Sequence, residues 1–293
     1  MKTNIILLTL LSLMISYHIK GQNKNHMTEK TMKIKNGSTQ ISYLEEGKGD
    51  KTLLLLHGWC INSAYWENQI DYFKEKYKVV AIDLPGFGKS TSQRQEWTIQ
   101  QYGTDVIEVI DQLGLSNVIL VGHSMSGEII LEAALKDHPS VIGLVGIDNF
   151  KMIDVHFTPE QLAEMQSYMD LLQKDFKNTA PVYADKMLFH PSTDEAVRNR
   201  VKKDFEHADP EIGFSALKEL MNYSMLESAG LANLNYKLYL INSDFVPTNA
   251  GGLARHCKSS FEVVDIHDTG HYPMIEKPEE FNKLLEATIE GIE

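Results

Sequence analysis

The sequence predicts an α/β fold, a doubly wound and mostly parallel sheet with an inserted helical cap. Uninterrupted apolar runs such as "TLLLLHG" and "VILVG" suit strands that are buried on both faces of a parallel sheet. Helical patterns separate these runs, and such alternation implies right-handed crossovers. One long stretch has helical patterns only, from about residue 150 to residue 235, which indicates an insertion over one end of the sheet.

The first predicted strands form a hairpin at residues 32–44, with Asn36-Gly37 as its turn. This antiparallel pair is expected to form one edge of the sheet. The parallel strands are predicted from the apolar runs that follow, at residues 52–58, 79–86, 118–122, 141–148, 238–242 and 261–266.

Three helix-start signals divide the insertion into helices. Each places a capping side chain before a proline or an acidic first turn. These starts are at Thr158-Pro159, at Ser192 with Glu195, and at Asp209-Pro210. The predicted organisation is therefore a core of residues 22–149 and 236–293 with a helical cap at residues 150–235.

The N-terminus is typical of a secretory signal peptide. Lys2 provides a positive start, an apolar run extends from Ile5 to Ile15, and Gly21 is a small residue before a cleavage point. The run is shorter than the roughly 20 apolar residues that a transmembrane helix needs. We expect residues 1–21 to be cleaved, which leaves a periplasmic or secreted protein without a stable membrane span. An uncleaved anchor or a buried strand is the alternative.

Composition argues against several classes of protein and site. The net charge of −12 and the lack of a basic stripe argue against nucleic-acid binding. Cys60 and Cys257 are the only cysteines, and we expect two buried free thiols rather than a disulfide. No Cys-x-x-Cys or His-Glu-x-x-His pattern is present, so no structural metal site is expected. Gly88-Lys89-Ser90 is not a phosphate-binding loop, because Asp83 stands where that loop needs a glycine.

The segment "VILVGHSMSGEII", residues 118–130, contains the principal candidate for chemistry. A strand leads to Gly122, a sharp turn holds Ser124, and a helix-compatible stretch follows Ser126. A nucleophile elbow has this context, and its residues two before and two after the serine must be small. Gly122 fits that pattern, whereas Ser126 replaces the usual second glycine and Gly127 comes one place later. A helix cap or a simple turn is the alternative interpretation.

Two further segments supply the partners that a nucleophilic serine needs. "LLLLHGW" ends a strand, and the backbone N–H groups of Trp59 and Met125 are the natural pair to hold a developing oxyanion. "DTGHYPMIEKPEEF" places His271 in a glycine-led loop between the last strand and the last helix, where a general base can reach the serine. His271 also takes the last place in a Ser–Asp–His order.

Together, the segments "HGW", "DLPGFGKS", "GHSMSG" and "GHYPMIEKPEEF" resemble the α/β-hydrolase superfamily, in its capped lipase, esterase and C–C hydrolase branch. The resemblance covers residues 32–293. It implies an eight-stranded sheet, a Ser-His-acid triad and no cofactor. Ser124 and His271 match the serine and the histidine of that triad. A serine nucleophile argues against haloalkane or epoxide chemistry in this branch.

The resemblance leaves two candidates for the triad acid. In the family this acid usually follows the strand before the last one, in a G-x-x-D context. Here that place reads "LYLINSDFVPT", with no glycine and a displaced Asp244. A less common arrangement puts the acid one strand earlier, where Asp148 ends "GLVGID". We predict Asp244, with Asp148 as the alternative.

The predicted function is hydrolysis of a small or medium apolar carboxylic ester or lactone through an acyl-enzyme at Ser124. Two alternatives stay open. One is a C–C bond hydrolase or perhydrolase, which the quoted segments do not distinguish from an esterase. The other is a ligand-binding protein that keeps the fold and the triad but turns over weakly, since fold alone does not give function.

Overall fold

The computed structural model describes residues 27–35 and 38–293. Its centre is an open, eight-stranded sheet flanked by helices. The predicted signal peptide at 1–21 and the predicted turn at Asn36-Gly37 lie outside the described residues. Among the helices that are described, none combines the length and the apolar content that crossing a membrane requires.

The sheet confirms the predicted fold class. Its strands are β1 Glu29–Lys33, β2 Gln40–Glu46, β3 Thr52–Leu56, β4 Lys78–Ile82, β5 Val118–His123, β6 Val141–Ile147, β7 Leu238–Ser243 and β8 Phe261–Ile266. Their order across the sheet is β1-β2-β4-β3-β5-β6-β7-β8. β1 with β2 and β2 with β4 are antiparallel, and the remaining neighbours are parallel. The first two strands thus form the antiparallel edge that the sequence predicts.

Helices connect the parallel strands and follow the last one. They are α1 Glu67–Phe73, α2 Ile99–Leu113, α3 Ser126–Ala134, α4 Pro159–Lys174, α5 Phe176–Met187, α6 Glu195–His207, α7 Pro210–Asn233, α8 Ala250–His256, α9 Pro273–Glu276 and α10 Pro278–Glu290. A short 3-10 turn, Ser63–Trp66, precedes α1. Both cysteines are buried and unpaired, as predicted.

Burial along the strands follows their place in the sheet. Every residue of β3 and β5, which lie in the middle, is buried, as continuous apolar runs predict. β8 has a neighbour on one side only, and it leaves Glu262 and Asp265 exposed. The expectation of burial on both faces therefore holds for the central strands and is wrong for this edge strand.

Two of the three predicted helix starts in the insertion are confirmed. Thr158 caps α4 in a reciprocal capping box with Gln161, and Asp209 caps α7 ahead of a first-turn proline. α6 is capped by Asp194 instead of Ser192. Ser192 donates to the Asp268 carbonyl at 3.0 Å, so a contact across the fold takes its hydroxyl away from capping.

Residues 159–233, helices α4 to α7 with their connections, are called the cap below. The cap touches loops that follow β3 and β8. The Trp59 indole Nε1–H donates to the Gly213 carbonyl at 2.7 Å, and the His271 N–H donates to the Leu188 carbonyl at 2.8 Å. Because the carboxyl ends of parallel strands meet at one edge, these contacts put the cap over the carboxyl edge of the sheet.

Candidate active site

Ser124 occupies a sharp turn between β5 and α3. Its backbone φ is 54°, in the left-handed region that a non-glycine residue rarely adopts. The Ser124 N–H donates to the Ile147 carbonyl at 2.9 Å, and the Gly127 N–H donates to the Ser124 carbonyl at 2.7 Å. The neighbouring strand and the first turn of the helix therefore hold this strained residue in place.

The glycines around Ser124 are required because other groups lie very close to the backbone there. A Cβ at Gly122 would lie 2.3 Å from the Ser126 carbonyl oxygen, and a Cβ at Gly127 would lie 2.2 Å from the Asn149 Nδ2. Ser126 is fully buried, and its Oγ donates to the His57 carbonyl at 2.5 Å. The second glycine is thus needed at 127, while the side chain at 126 joins the turn to the loop after β3.

Asn149 supports the same turn from behind, and sequence reasoning missed it. Its Nδ2 donates to the Gly122 carbonyl at 2.9 Å and lies 3.4 Å from the Ser124 carbonyl. Its own N–H donates to the Asn242 Oδ1 at 3.2 Å. Gly127 and Gly146 are the sequence signals of this contact, because a Cβ at either residue would lie 2.2 Å from the Asn149 amide group.

His271 links Ser124 to a carboxylate. Its Nδ1 lies 2.5 Å from the Asp148 Oδ2, and its Nε2 lies 2.7 Å from the Ser124 Oγ. With Nδ1–H donating to Asp148, Nε2 is left as the acceptor for the Ser124 hydroxyl. The structure therefore brings together Ser124, His271 and Asp148 in one hydrogen-bonded chain.

Asp148 is held by groups that favour its ionised form. It follows β6 with a φ of 52°, and its Oδ1 accepts from the Ser243 N–H at 2.9 Å. The same oxygen forms an ion pair with Lys151, whose side chain is only 9% exposed. Burial raises the pKa of Asp148, but the hydrogen bond and charge of His271 and then the Lys151 ammonium outweigh it and lower this pKa to about 2.

Asp244 does not make the predicted contact with His271. It lies just after β7, its side chain is 46% exposed, and its Oδ2 accepts from the His267 Nδ1 at 2.7 Å. The structure therefore brings Asp148, and not the predicted Asp244, to the Nδ1 of His271. Asp148 fills the space beside the end of β7, where its carboxylate binds the Ser243 N–H, and Asp244 is directed to the surface.

The loop after β3 runs beside Ser124. A Cβ at Gly58 would lie 3.0 Å from the Ser124 Cβ, so the residue before Trp59 is in close contact with the serine. The predicted donors, the N–H groups of Trp59 and Met125, take no part in the backbone hydrogen bonds that join the described turns and loops.

His57 fixes the conformation of that loop. Its Nδ1 donates to the Gly58 carbonyl at 2.7 Å, and its Nε2 accepts from the Leu84 N–H at 2.9 Å. Because Nε2 accepts this hydrogen bond it carries no proton, and burial lowers the pKa of His57, which favours the same neutral ring. His57 thus ties the loop after β3 to the loop after β4, a role that sequence reasoning did not assign.

His123, directly before the serine, is a second buried histidine. Its Nε2 donates to the His271 carbonyl at 2.7 Å, and its ring centroid lies 4.8 Å from that of His271. Burial, and secondly the charge of His271, lower the pKa of His123 to about 3. A neutral ring at this position does not repel a positive charge on His271.

A family model described as alpha/beta hydrolase fold matches residues 51–278. The (E)-2-((N-methylformamido)methylene)succinate hydrolase of Acinetobacter baylyi is 25% identical over 268 residues, 90% of this chain and 99% of that protein. The pimeloyl-(acyl-carrier protein) methyl ester esterase of Yersinia enterocolitica is 26% identical over 252 residues, 82% of this chain and 93% of that protein. Among solved structures, an esterase from Exiguobacterium antarcticum matches with a TM-score of 0.77 at 20% identity, covering 90% of this chain and all of that one. The chain therefore belongs to the alpha/beta hydrolase family and is a hydrolase.

Proposed function

We propose that this protein is a serine hydrolase that cleaves a small or medium carboxylic ester or lactone through an acyl-enzyme. The observation that carries the proposal is the position of His271 between the Ser124 Oγ at 2.7 Å and the Asp148 Oδ2 at 2.5 Å. A nucleophile, a base within hydrogen-bond reach and an acid that orients the base are the three parts that acyl transfer needs.

In the acylation half-reaction, the Ser124 Oγ attacks the ester carbonyl carbon while its proton moves to the His271 Nε2. The carbonyl oxygen becomes an oxyanion, which the Trp59 and Met125 N–H groups stabilise by hydrogen bonds. The intermediate collapses as the C–O bond to the alcohol breaks. His271 returns its proton to the leaving alkoxide, and the acyl group stays on Ser124.

Deacylation repeats these steps with water as the nucleophile. The His271 Nε2 takes a proton from water, and the hydroxide attacks the acyl carbon. Collapse of the second intermediate breaks the bond to Ser124, which regains its proton from His271, and the carboxylic acid leaves. Asp148 stays ionised throughout, because its pKa of about 2 lies far below neutral pH, and it stabilises the imidazolium.

The choice of an ester over other hydrolysable bonds is supported by the relatives. The Yersinia enterocolitica relative is by name a methyl ester esterase, and the Exiguobacterium antarcticum structure is by title an esterase. Ester and lactone hydrolysis also needs no group beyond a nucleophile, a base and oxyanion donors. We therefore propose carboxylic esters as the substrate class.

A panel of p-nitrophenyl esters of graded acyl length, with a matched lactone series, tests this function. We expect steady turnover that peaks at a short or medium acyl chain and that stops when a fluorophosphonate adds its mass to the peptide containing Ser124. Turnover that continues after complete labelling would contradict the proposal. Hydrolysis of a vinylogous diketone together with inactivity on every ester would favour C–C bond hydrolysis instead.

We also propose that the protein is exported after removal of residues 1–21, on the strength of Lys2 and the apolar run from Ile5 to Ile15. The intact mass of the mature protein from its native host is expected to lack about 21 residues. A full-length species in the cytosolic fraction would contradict export.

A further inference from the structure

The Trp59 side chain is embedded in the cap. Its indole Nε1–H donates to the Gly213 carbonyl of α7 at 2.7 Å. Its ring meets Phe176 of α5 edge-on at 5.6 Å between centroids, and Phe205 of α6 at 5.0 Å. All three aromatic side chains are buried. Three of the four cap helices therefore contact this one side chain of the core.

The residue directly before Trp59 in the chain lies against the nucleophile. Gly58 approaches Ser124 so closely that a Cβ there would lie 3.0 Å from the Ser124 Cβ. Cys60, the next residue after Trp59, has a φ of 57°, so the chain turns abruptly on leaving the site. The indole and the N–H of Trp59 are thus parts of one short, constrained segment.

A Cβ at Gly213 would lie 2.5 Å from the Phe176 Cζ and 3.2 Å from the Cys60 Sγ. The cap helix α7 therefore lies close to Phe176, the aromatic partner of Trp59 in the cap, and to Cys60, the residue that follows Trp59. No side chain at 213 fits without moving one of them. The contact between the cap and the loop after β3 is close-packed, and displacement of one side is transmitted to the other.

We infer that the Trp59 indole is a positioning group through which the seated cap sets the location of the Trp59 N–H beside Ser124. This inference rests on the proposed function, in which that N–H is an oxyanion donor. An oxyanion donor is effective only when it is preorganised at about 2.7–3.1 Å from the developing charge. Substrate contacts that seat the cap therefore contribute to turnover itself as well as to binding.

Trp59→Phe tests the inference with the smallest change. Phenylalanine keeps a ring against the cap aromatics and keeps the backbone N–H, but it removes the donor to Gly213. We expect kcat to fall about tenfold with KM nearly unchanged, less than the roughly 10²–10³-fold cost of losing an oxyanion donor outright. The pH–rate profile should keep its shape, because His271 and Asp148 do not contact the indole. A purely structural defect would instead lower the active fraction, which fluorophosphonate titration measures.

Trp66→Phe is the matched control. Trp66 is also fully buried, and its Nε1 makes no hydrogen bond within the described residues. The same substitution there is expected to leave kcat per titrated active site within about twofold, since no oxyanion donor is moved. Equal losses of kcat in the Trp59 and Trp66 variants would overturn the inference.

Gly213→Ala tests the link from the cap side. Alanine is more favourable than glycine inside a helix, so α7 by itself should gain stability. The added methyl group must nevertheless displace Phe176 or Cys60, and we expect kcat to fall by about as much as in Trp59→Phe, on the order of tenfold. An unchanged kcat in both variants, with wild-type ester turnover that depends on Ser124, would refute the coupling and leave the proposed function standing. Absence of Ser124-dependent turnover in the wild type would refute the proposed function itself.

Discussion

Ser124→Ala is expected to lower ester turnover by about 10⁶-fold, the scale of losses found for triad nucleophiles. Removal of the hydroxyl deletes the group that His271 contacts at 2.7 Å and leaves no atom to form the acyl-enzyme. The fold should persist, because the hydrogen bonds that hold this turn come from the backbone of Ser124. Initial rates on the best ester of the panel measure the loss, and circular dichroism checks the fold.

Ser126→Ala is the matched control, since Ser126 is a serine on the same turn. Its buried Oγ donates to the His57 carbonyl and makes no contact with His271. We expect a loss of about tenfold or less, from loosening of the loop after β3, on the scale of one neutral hydrogen bond. Retention of more than a few per cent of activity in Ser124→Ala would show that Ser124 is not the nucleophile.

Asp148→Asn is expected to lower turnover by about 10⁴-fold, as the amide does in a serine protease where the orienting aspartate was replaced. An amide donates to the His271 Nδ1 side and so favours the tautomer in which Nε2 carries the proton and cannot accept from Ser124. The asparagine oxygen can still accept from the Ser243 N–H. Loss of the negative charge leaves the buried Lys151 with its hydrogen bond to the Ser243 carbonyl but without a counter-ion, so thermal unfolding must be measured beside the rates.

Asp244→Asn is the comparison that separates the two carboxylates. Asp244 is half exposed and bound to His267, which is 66% exposed, so we expect a loss of tenfold or less. A large loss in Asp244→Asn with nearly full activity in Asp148→Asn would return the orienting role to Asp244. Such a result would require the loop after β7 to rearrange when substrate binds.

Most of the fold could be predicted because its signals are local. The central strands are continuous apolar runs, and the helices between them repeat apolar residues at helical spacing, so the alternation is visible without tertiary information. The start of α6 could not be predicted in the same way. Ser192 and Asp194 both suit a cap, and the choice depends on a hydrogen bond from Ser192 to Asp268, which is 76 residues away in sequence.

The same distinction between local signals and tertiary contacts applies to the candidate site. Ser124 and His271 stand in loops whose glycines are readable from the sequence. The choice between Asp148 and Asp244 is not readable, since both follow strand ends at the same edge of the sheet. It depends on a left-handed backbone at Asp148 and on a buried lysine three residues later, which together direct one carboxylate inward.

The hydrogen bond from the His271 N–H to the Leu188 carbonyl affects how chimeras of this protein and its relatives can be built. Gly270 lies against the same stretch of the cap, where a Cβ would be 2.5 Å from that carbonyl oxygen. A chimera that exchanges residues 159–233 for the insertion of a relative would therefore also remove the Leu188 carbonyl that anchors the loop of His271. Transplanting specificity into this scaffold calls for moving the insertion and the histidine loop as one unit.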